Sequence, residues 1–133
     1  MRCFLDTNVF IAAVLDTDES EATGTATALL NDTHEFLTSL LTLMELRTVL
    51  TKKHRLEHDR VAAIEDEVRS DVEVVVPDAG TAIDANRLQD ETLLYPMDSL
   101  ILACAQEYDA TLVSFDGELI DVGAEHPADV IVD

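Results

Sequence analysis

The chain has 133 residues, of which 47% are hydrophobic, and its formal net charge is -20. This length matches one domain, residues 1–133, built around one core. No run approaches the roughly 20 apolar residues of a membrane span, and Asp6 interrupts the region where a signal peptide would be apolar. We therefore expect a cytoplasmic protein. Cys3 and Cys104 lie in apolar runs, so we expect buried thiols rather than a disulfide or a metal site.

The charge is the most unusual property of the composition. Only 8 Lys and Arg residues accompany 28 acids, yet apolar residues recur periodically, which favours a folded domain over a disordered chain. An acid-rich surface with few lysines suits molar intracellular salt, in which the screening length falls to about 3 Å. We therefore hypothesise a halophilic source. Equal thermal stability in molar and millimolar salt would contradict this hypothesis.

Predicted strands and helices alternate along the chain. The strands are predicted at residues 2–5, 35–37, 72–76, 111–115 and 128–132. The helices are predicted at residues 7–15, 19–31, 39–53, 57–70, 78–93 and 97–108. Thr38 or Ser39 can cap the third helix, and Asp78 can cap the fifth. Such alternation predicts an α/β fold, with a mostly parallel sheet of four to five strands and helices on both faces.

Four acids lie where a surface acid is not expected. Asp6 and Asp116 each follow an apolar strand, at the carboxyl edge where open parallel sheets bind ligands. Glu45 shares a helix row with apolar residues four positions before and after it, and Asp98 begins an apolar helix. Taken singly, each acid has an ordinary alternative, as a helix cap, a dipole partner, a turn residue or half of an ion pair.

Taken together, the four acids predict a metal site. Two carboxylates about 5 Å apart repel by roughly 3 kcal/mol at an effective dielectric constant of 20, so a cluster requires a bound cation or proton uptake. Oxygen ligands favour Mg²⁺ or Mn²⁺, and no His or Cys accompanies these acids to indicate zinc.

Four segments resemble the motifs of the PIN-domain ribonuclease family, in particular the VapC-type toxins of toxin–antitoxin pairs. They are FLDTNVF at 4–10, TLMELRTVL at 42–50, YPMDSLILACA at 95–105 and LVSFDGEL at 112–119. Together they span most of the chain. The resemblance implies that the catalytic, metal-binding acids are Asp6, Glu45, Asp98 and Asp116, and that they hold one or two Mg²⁺ or Mn²⁺ ions.

Polar residues near these acids match further positions of the family. Asn8 and Ser114 correspond to polar residues that can hydrogen-bond a carboxylate or a metal-bound water. A turn-forming Asn and a capping Ser are the alternatives. Many relatives carry another aspartate shortly after the last motif acid, where this chain has Gly117, Glu118 and Leu119. No role is therefore assigned to Glu118.

The resemblance also implies an activity and partners. The activity is metal-dependent hydrolysis of RNA phosphodiester bonds by an endoribonuclease, leaving a 5′-phosphate without a covalent enzyme intermediate. The partners are RNA, a homodimeric second copy and an antitoxin protein that covers the acids with an Arg or Lys side chain. The alternatives are an RNA-processing enzyme and a PIN-like scaffold that binds RNA or protein without cutting.

Two other classes of acidic α/β protein fit the residues less well. A haloacid-dehalogenase-like phosphatase needs a second Asp where this chain has Asn8. A response-regulator receiver domain needs paired early acids and a lysine at the end of a late strand, but the only lysines are Lys52 and Lys53.

The net charge opposes RNA binding by simple attraction. Half of the basic residues nevertheless follow Glu45 closely, and these candidate RNA-phosphate contacts are Arg47, Lys52, Lys53 and Arg55. A favourable interaction with the dipole at the helix C-terminus is the alternative reading.

Two further predictions concern side chains outside the motifs. Glu65, together with its acidic neighbours Asp66 and Glu67, is expected to face solvent. Tyr95 can stack on a nucleobase, but packing at the entry of a helix is the preferred interpretation, because Pro96 follows it.

Overall fold

The sheet contains four parallel strands in the computed structural model, which describes residues 1–15 and 20–132. The strands are β1 (Arg2–Leu5), β2 (Glu35–Ser39), β3 (Glu73–Val75) and β4 (Thr111–Val113). Their order across the sheet is β3-β2-β1-β4, and every neighbouring pair is parallel. The predicted α/β fold with a parallel sheet is confirmed.

Helices connect the strands and cover the sheet. They are α1 (Thr7–Val14), α2 (Glu21–Leu30), α3 (Leu40–Thr48), α4 (His58–Asp71), α5 (Ala79–Thr92), α6 (Pro96–Glu107), α7 (Gly117–Asp121) and α8 (Pro127–Val130). A π-helical turn, Val49–Lys53, continues α3. The predicted start of the second helix, Glu19, lies outside the described residues. Within residues 1–15 and 20–132, no helix is both long and apolar enough to cross a membrane.

The core lies on both faces of the sheet. Side chains alternate between the two faces of a strand, so Leu5 packs with Val9 of α1 and Leu29 of α2, whereas Phe4 packs with Ile101 of α6 on the other face. The helices on both faces explain why the central strands read as continuous apolar runs.

The strand order creates a crevice at the carboxyl end of the sheet. From β1 the chain proceeds outward through β2 and β3, and then returns to place β4 on the other side of β1. The connections that leave β1 and β4 therefore diverge to opposite faces. Open parallel sheets bind ligands at such a point, which here lies beyond the ends of β1 and β4.

The predicted final strand at residues 128–132 is wrong. Pro127 occupies the first helical position of α8, and the ring of His126 accepts a hydrogen bond from the Ala128 N–H at 3.1 Å. These features begin a helix, and Val130 packs into the core from it. In the described residues, the outer edge of β4 gains only an isolated bridge between Val113 and Glu125.

Several predicted boundaries also differ from the structure. β4 ends at Val113 rather than at residue 115, so Asp116 lies three residues beyond the strand and caps α7, a helix that was not predicted. Ser39, rather than Thr38, caps α3, because the Thr38 hydroxyl donates instead to the Leu5 carbonyl at 2.8 Å.

Candidate metal-binding site

Asp6 joins the end of β1 to the start of α1. Its Oδ1 accepts the Thr7 N–H at 2.8 Å as the helix cap, and its Oδ2 accepts the Ser114 hydroxyl at 2.8 Å. Its own N–H donates to the Val113 carbonyl at 3.1 Å. The residue is only 7% exposed. Each carboxylate oxygen is therefore held in a fixed direction at the crevice between β1 and β4.

Ser114 and Asn8 connect the two sides of this crevice. The Ser114 hydroxyl oxygen accepts the Asn8 side-chain N–H at 3.0 Å and the Asp116 backbone N–H at 3.0 Å. The Asn8 side-chain oxygen accepts the Phe115 N–H at 3.2 Å. The network explains why polar residues are suited to these positions: each end of Asn8 has a partner, and Ser114 links Asp6 to Asp116.

Asp116 is positioned by the backbone around it. Its Oδ1 accepts the Glu118 N–H at 2.9 Å and so caps α7. Asp116 can therefore cap a helix and also bind a metal ion, and the same is true of Asp6. A carboxylate that caps one helix N–H keeps other lone pairs free for a cation.

Glu45 and Asp98 approach from two further helices. α3 begins directly after β2, where the Ser39 hydroxyl accepts the Leu41 N–H at 3.0 Å, and it carries Glu45 in its second turn. α6 begins at Pro96, whose fixed backbone suits the first helical position, and Asp98 lies in its first turn. Both acids are half-buried.

These four acids are named here the acid cluster, and their charges act on one another. Burial is the main cause that raises the pKa of Asp98 to about 6, and the charges of Asp6, Asp116 and Glu45 contribute to the same rise. Burial also raises the pKa of Asp6; the hydrogen bonds from Ser114 and Thr7 oppose this rise, while Glu45 and Asp116 add to it.

Glu118 also influences the acid cluster. Its charge contributes to the raised pKa of Asp98, although less than the charges of Asp6, Asp116 and Glu45. The sequence alone assigned no role to Glu118, because many relatives carry a further aspartate where this chain has Gly117, Glu118 and Leu119. Its place in the first turn of α7, two residues after Asp116, is the signal that would have indicated its proximity.

The chemistry of the acid cluster fits a hard divalent cation. All four side chains supply oxygen ligands, and a divalent ion would relieve their mutual repulsion. Within the described ranges, no three His, Cys, Asp or Glu side chains are already arranged around one ion position. Mg²⁺ usually keeps several of its waters and binds directly to only one or two carboxylates, so the cluster does not need a closed cage of protein ligands.

The basic residues after Glu45 divide into two groups. Nη2 of Arg47 lies 2.9 Å from Oε1 of Glu65 in α4. Arg47 is two positions after Glu45, about 200° around the helix, and so leaves α3 on the other side. Lys52, Lys53 and Arg55, named here the basic segment, are exposed and form no ion pair within residues 1–15 and 20–132.

Two predictions about isolated side chains are wrong. Glu65 does not face solvent but is 2% exposed, because it shares the inward row of α4 with Val61 and Val68. That spacing was visible in the sequence. Tyr95 does not pack at the entry of α6; it is 72% exposed.

A cavity of about 660 Å³ lies elsewhere in the molecule. Apolar residues from α1, α2, β2 and α4 line it, among them Phe10, Leu30, Phe36 and Val68, and none of the acid cluster does so. The acid cluster thus lies away from this cavity, which is also lined by the charged residues Arg60, Glu67 and Asp71.

The chain belongs to the PIN domain family, because the family model for the PIN domain matches residues 3–125. This finding confirms the family that the sequence motifs indicated. Comparison with curated proteins gives no match.

Several solved structures have a similar fold. The VapC20 toxin of Mycobacterium tuberculosis, described as cleaving the sarcin–ricin loop, has a TM-score of 0.75 and 22% identity over 92% of this chain and 96% of that chain. A chain of a toxin–antitoxin complex from Klebsiella pneumoniae has a TM-score of 0.67 and 23% identity over 94% of this chain and 97% of that chain. PAE2754 of Pyrobaculum aerophilum has a TM-score of 0.68 and 20% identity over 99% of this chain and 93% of that chain. At these identities the likeness is one of fold.

Proposed function

We propose that this chain is an endoribonuclease that hydrolyses RNA phosphodiester bonds with Mg²⁺ or Mn²⁺. Two observations support the proposal: Ser114 links Asp6 to Asp116 by hydrogen bonds, and the charges of Asp6, Asp116 and Glu45 all raise the pKa of Asp98. Acids whose charges repel one another in this way are suited to binding a divalent cation.

The surrounding residues hold the acids in place for this chemistry. A divalent ion bound there supplies an activated water and neutralises the charge that develops on the phosphoryl oxygens. Ser114 and Thr7 fix the two oxygens of Asp6, and the Ser114 hydroxyl also receives the Asp116 N–H. Asn8 prevents the two sides of the crevice from separating, because it bonds to both Ser114 and Phe115.

The basic segment gives the RNA a place to bind despite the net charge of -20. Lys52 follows Glu45 by about two helical turns and is exposed, as are Lys53 and Arg55. Their charges are not neutralised by acids among the described residues. They are therefore the better candidates for phosphate contacts, whereas Arg47 is engaged by Glu65.

We further propose that the enzyme is the toxin of a type II toxin–antitoxin pair. Solved structures of the same fold include toxin–antitoxin complexes from Klebsiella pneumoniae and nontypeable Haemophilus influenzae. An Arg or Lys side chain of an antitoxin would neutralise the acid cluster and occupy the place of the metal. A homodimer is part of the proposal, with exposed Leu40 and Met44 of α3 as apolar surface available for contact.

Cleavage of RNA by purified protein tests the nuclease proposal. Structured and unstructured RNAs are incubated in molar KCl with Mg²⁺, with Mn²⁺ or with EDTA. We expect cleavage only with a divalent ion, and a loss of at least about 100-fold in Asp6→Asn and Asp98→Asn, because each change removes a charged ligand.

Asp71→Asn is the matched control for these variants. It makes the same chemical change at an exposed acid at the end of α4, next to the opposite edge of the sheet, and it should cleave like the wild type. Cleavage that persists in EDTA, or in both cluster variants, would refute the proposal. RNA binding without any cleavage would favour the non-catalytic scaffold.

The toxin role needs a separate test in cells. Expression of the wild-type chain alone should stop growth, whereas Asp98→Asn at equal abundance should not. Co-expression of the product of an adjacent small reading frame should restore growth to the wild type. Growth arrest by both forms, or by neither, would leave RNA processing as the better assignment for an active nuclease.

A further inference from the structure

Tyr95 carries the one exposed ring among the Phe and Tyr side chains. The sequence contains four Phe, two Tyr and no Trp, and all six rings belong to described residues. Phe4 and Phe10 are buried, and Phe36, Tyr108 and Phe115 are partly buried. Tyr95, in contrast, is 72% exposed.

The backbone under this ring is rigid. The Tyr95 carbonyl accepts both the Ser99 N–H at 3.0 Å and the Ser99 hydroxyl at 3.2 Å. Leu94 before it is buried, and Pro96 after it fixes the start of α6. An exposed ring on such a support loses little backbone freedom when a flat ligand stacks on it.

The position of the ring relates it to the acid cluster. Tyr95 is the N-cap of α6, and Asp98 is the third residue of that helix. The two residues are therefore three positions apart at the same end of α6. A base stacked on Tyr95 would lie at the helix end that carries the carboxylate of the proposed nuclease.

We infer that Tyr95 stacks on an unpaired nucleobase of the RNA substrate and so helps to select single-stranded RNA at the cleavage site. The inference rests on the proposed nuclease function. Charge attraction is weak for a protein of net charge -20, and in molar salt it is weaker still. Stacking between a base and an aromatic ring does not depend on charge and tolerates any base.

The test compares Tyr95→Phe, Tyr95→Leu and Tyr95→Ala with the wild type on a short unstructured RNA in molar KCl and Mn²⁺. Ile83→Ala is the control, since it removes an exposed apolar side chain from α5. Binding is measured by fluorescence anisotropy, cleavage by kcat and KM, and the oligomeric state by sedimentation. We expect Tyr95→Phe and the control to match the wild type, and Tyr95→Leu and Tyr95→Ala to raise KM by about 5- to 150-fold with little change in kcat.

An abasic substitution scanned along the RNA separates stacking from a structural effect. One abasic position should weaken binding to the wild type but not to Tyr95→Ala. Absence of such a position, or unchanged KM in Tyr95→Leu, would overturn the stacking role while leaving the nuclease intact. Loss of oligomerisation at unchanged RNA affinity would instead assign the ring to a protein interface and overturn the inference. Ring-dependent binding without cleavage would sustain stacking and reject the nuclease, and absence of RNA binding would reject both.

Discussion

Asp6 combines a structural task and a functional one in a single carboxylate. One oxygen caps α1 through the Thr7 N–H, and the other receives the Ser114 hydroxyl at the end of β4. The cap helps to offset the unfavourable burial of the residue, and the remaining lone pairs face the crevice. Asp116 likewise caps α7 while other lone pairs of its carboxylate stay available. Residues of the proposed site thus contribute to folding even when no metal is bound.

The raised pKa of Asp98 predicts how the metal-free protein responds to pH. A carboxyl whose pKa rises from 3.8 in the unfolded chain to about 6 in the folded protein prefers the protonated form when folded. Its contribution to stability is therefore present below about pH 4 and is lost as the pH rises through about 6. In EDTA and molar KCl, the melting temperature of Asp98→Asn relative to the wild type should increase between pH 4 and pH 7.

A divalent ion should offset the stability that is lost when Asp98 ionises. Mg²⁺ or Mn²⁺ should raise the melting temperature of the wild type more at pH 7 than at pH 4, because binding requires ionised acids. It should have little effect on Asp98→Asn. If the melting temperatures of the wild type and Asp98→Asn changed with pH in parallel in EDTA, Asp98 would not titrate in this way.

At the scale of the elements, Glu65 links α4 to α3. Both of its oxygens are buried and lack a hydrogen-bond donor among the described residues, although Arg47 lies 2.9 Å away as an ion-pair partner. Burial raises the pKa of Glu65, and the charges of Arg47 and Arg69 oppose this rise. The position of α3, which carries Glu45, therefore depends on a pair that was not visible as one in the sequence.

Removal of Arg47 should destabilise the fold most at neutral pH. Arg47→Met leaves a buried carboxylate without its cation, and we expect a loss of about 1–3 kcal/mol at pH 7.5, since the partly exposed Arg47 is worth less than a fully buried partner. The pKa of Glu65 rises further in this variant, so the loss should shrink towards pH 5, where Glu65 can take up a proton.

Denaturant unfolding at both pH values measures this effect. Adding Glu65→Gln to Arg47→Met should recover part of the lost stability at pH 7.5, because the unpaired charge is gone. A loss that is the same at both pH values, and is unchanged in the double variant, would contradict an electrostatic link.

The end of α5 offers an independent test of backbone strain. Leu93 has a left-handed backbone with φ of 58° and is 83% exposed. Left-handed backbone costs a residue with a Cβ atom about 1 kcal/mol, which Gly avoids. Leu93→Gly should therefore be about 1 kcal/mol more stable than Leu93→Ala in denaturant unfolding. Equal stability of the two variants would show that the turn is not strained.

The elements that the sequence predicts well are those whose signals are local. β1, with its apolar run before Asp6, and α6, with Pro96 and its buried row, were predicted within one residue of their observed starts. The residues at 128–132 were misassigned because Val130, Ile131 and Val132 have β-propensity, whereas Pro127 and the packing of Val130 determine a helix.

The acid cluster was predictable for a different reason. Asp6, Glu45 and Asp98 each interrupt an apolar pattern, and the family motifs connect them to Asp116. The burial of Glu65 was also indicated locally, by its spacing with Val61 and Val68, but its pairing with Arg47 was not. The exposure of Tyr95 depends on how the start of α6 packs against distant segments, about which local patterns carry no direct information.

At the scale of the whole molecule, charge and its distribution matter most. The surface carries a large excess of acids, and the exposed cations without an ion pair in the described part of the chain are Arg60 and the three residues of the basic segment. Self-repulsion of such a surface favours the unfolded chain at low salt and is screened at high salt.

Salt should therefore stabilise the folded protein. We expect the melting temperature to rise by roughly 10 °C between 0.1 M and about 2 M KCl, which corresponds to about 2–3 kcal/mol. A variant in which the exposed acids Asp59, Glu67 and Asp71 of α4 become amides should show a smaller rise, because it has less repulsion to screen. An unchanged melting temperature across this range would reject the halophilic hypothesis.

The pairing of the last strand with the first has a consequence for a newly made chain. β4 completes the sheet beside β1 only after Thr111–Val113 has been synthesised, and Ser114 and Asp116 come after that strand. A nascent or truncated chain that stops earlier holds Asp6, Glu45 and Asp98 without the strand that closes the crevice. If the proposed nuclease function holds, the ribosome would thus synthesise the chain through Asp116 before the four acids could come together beside it.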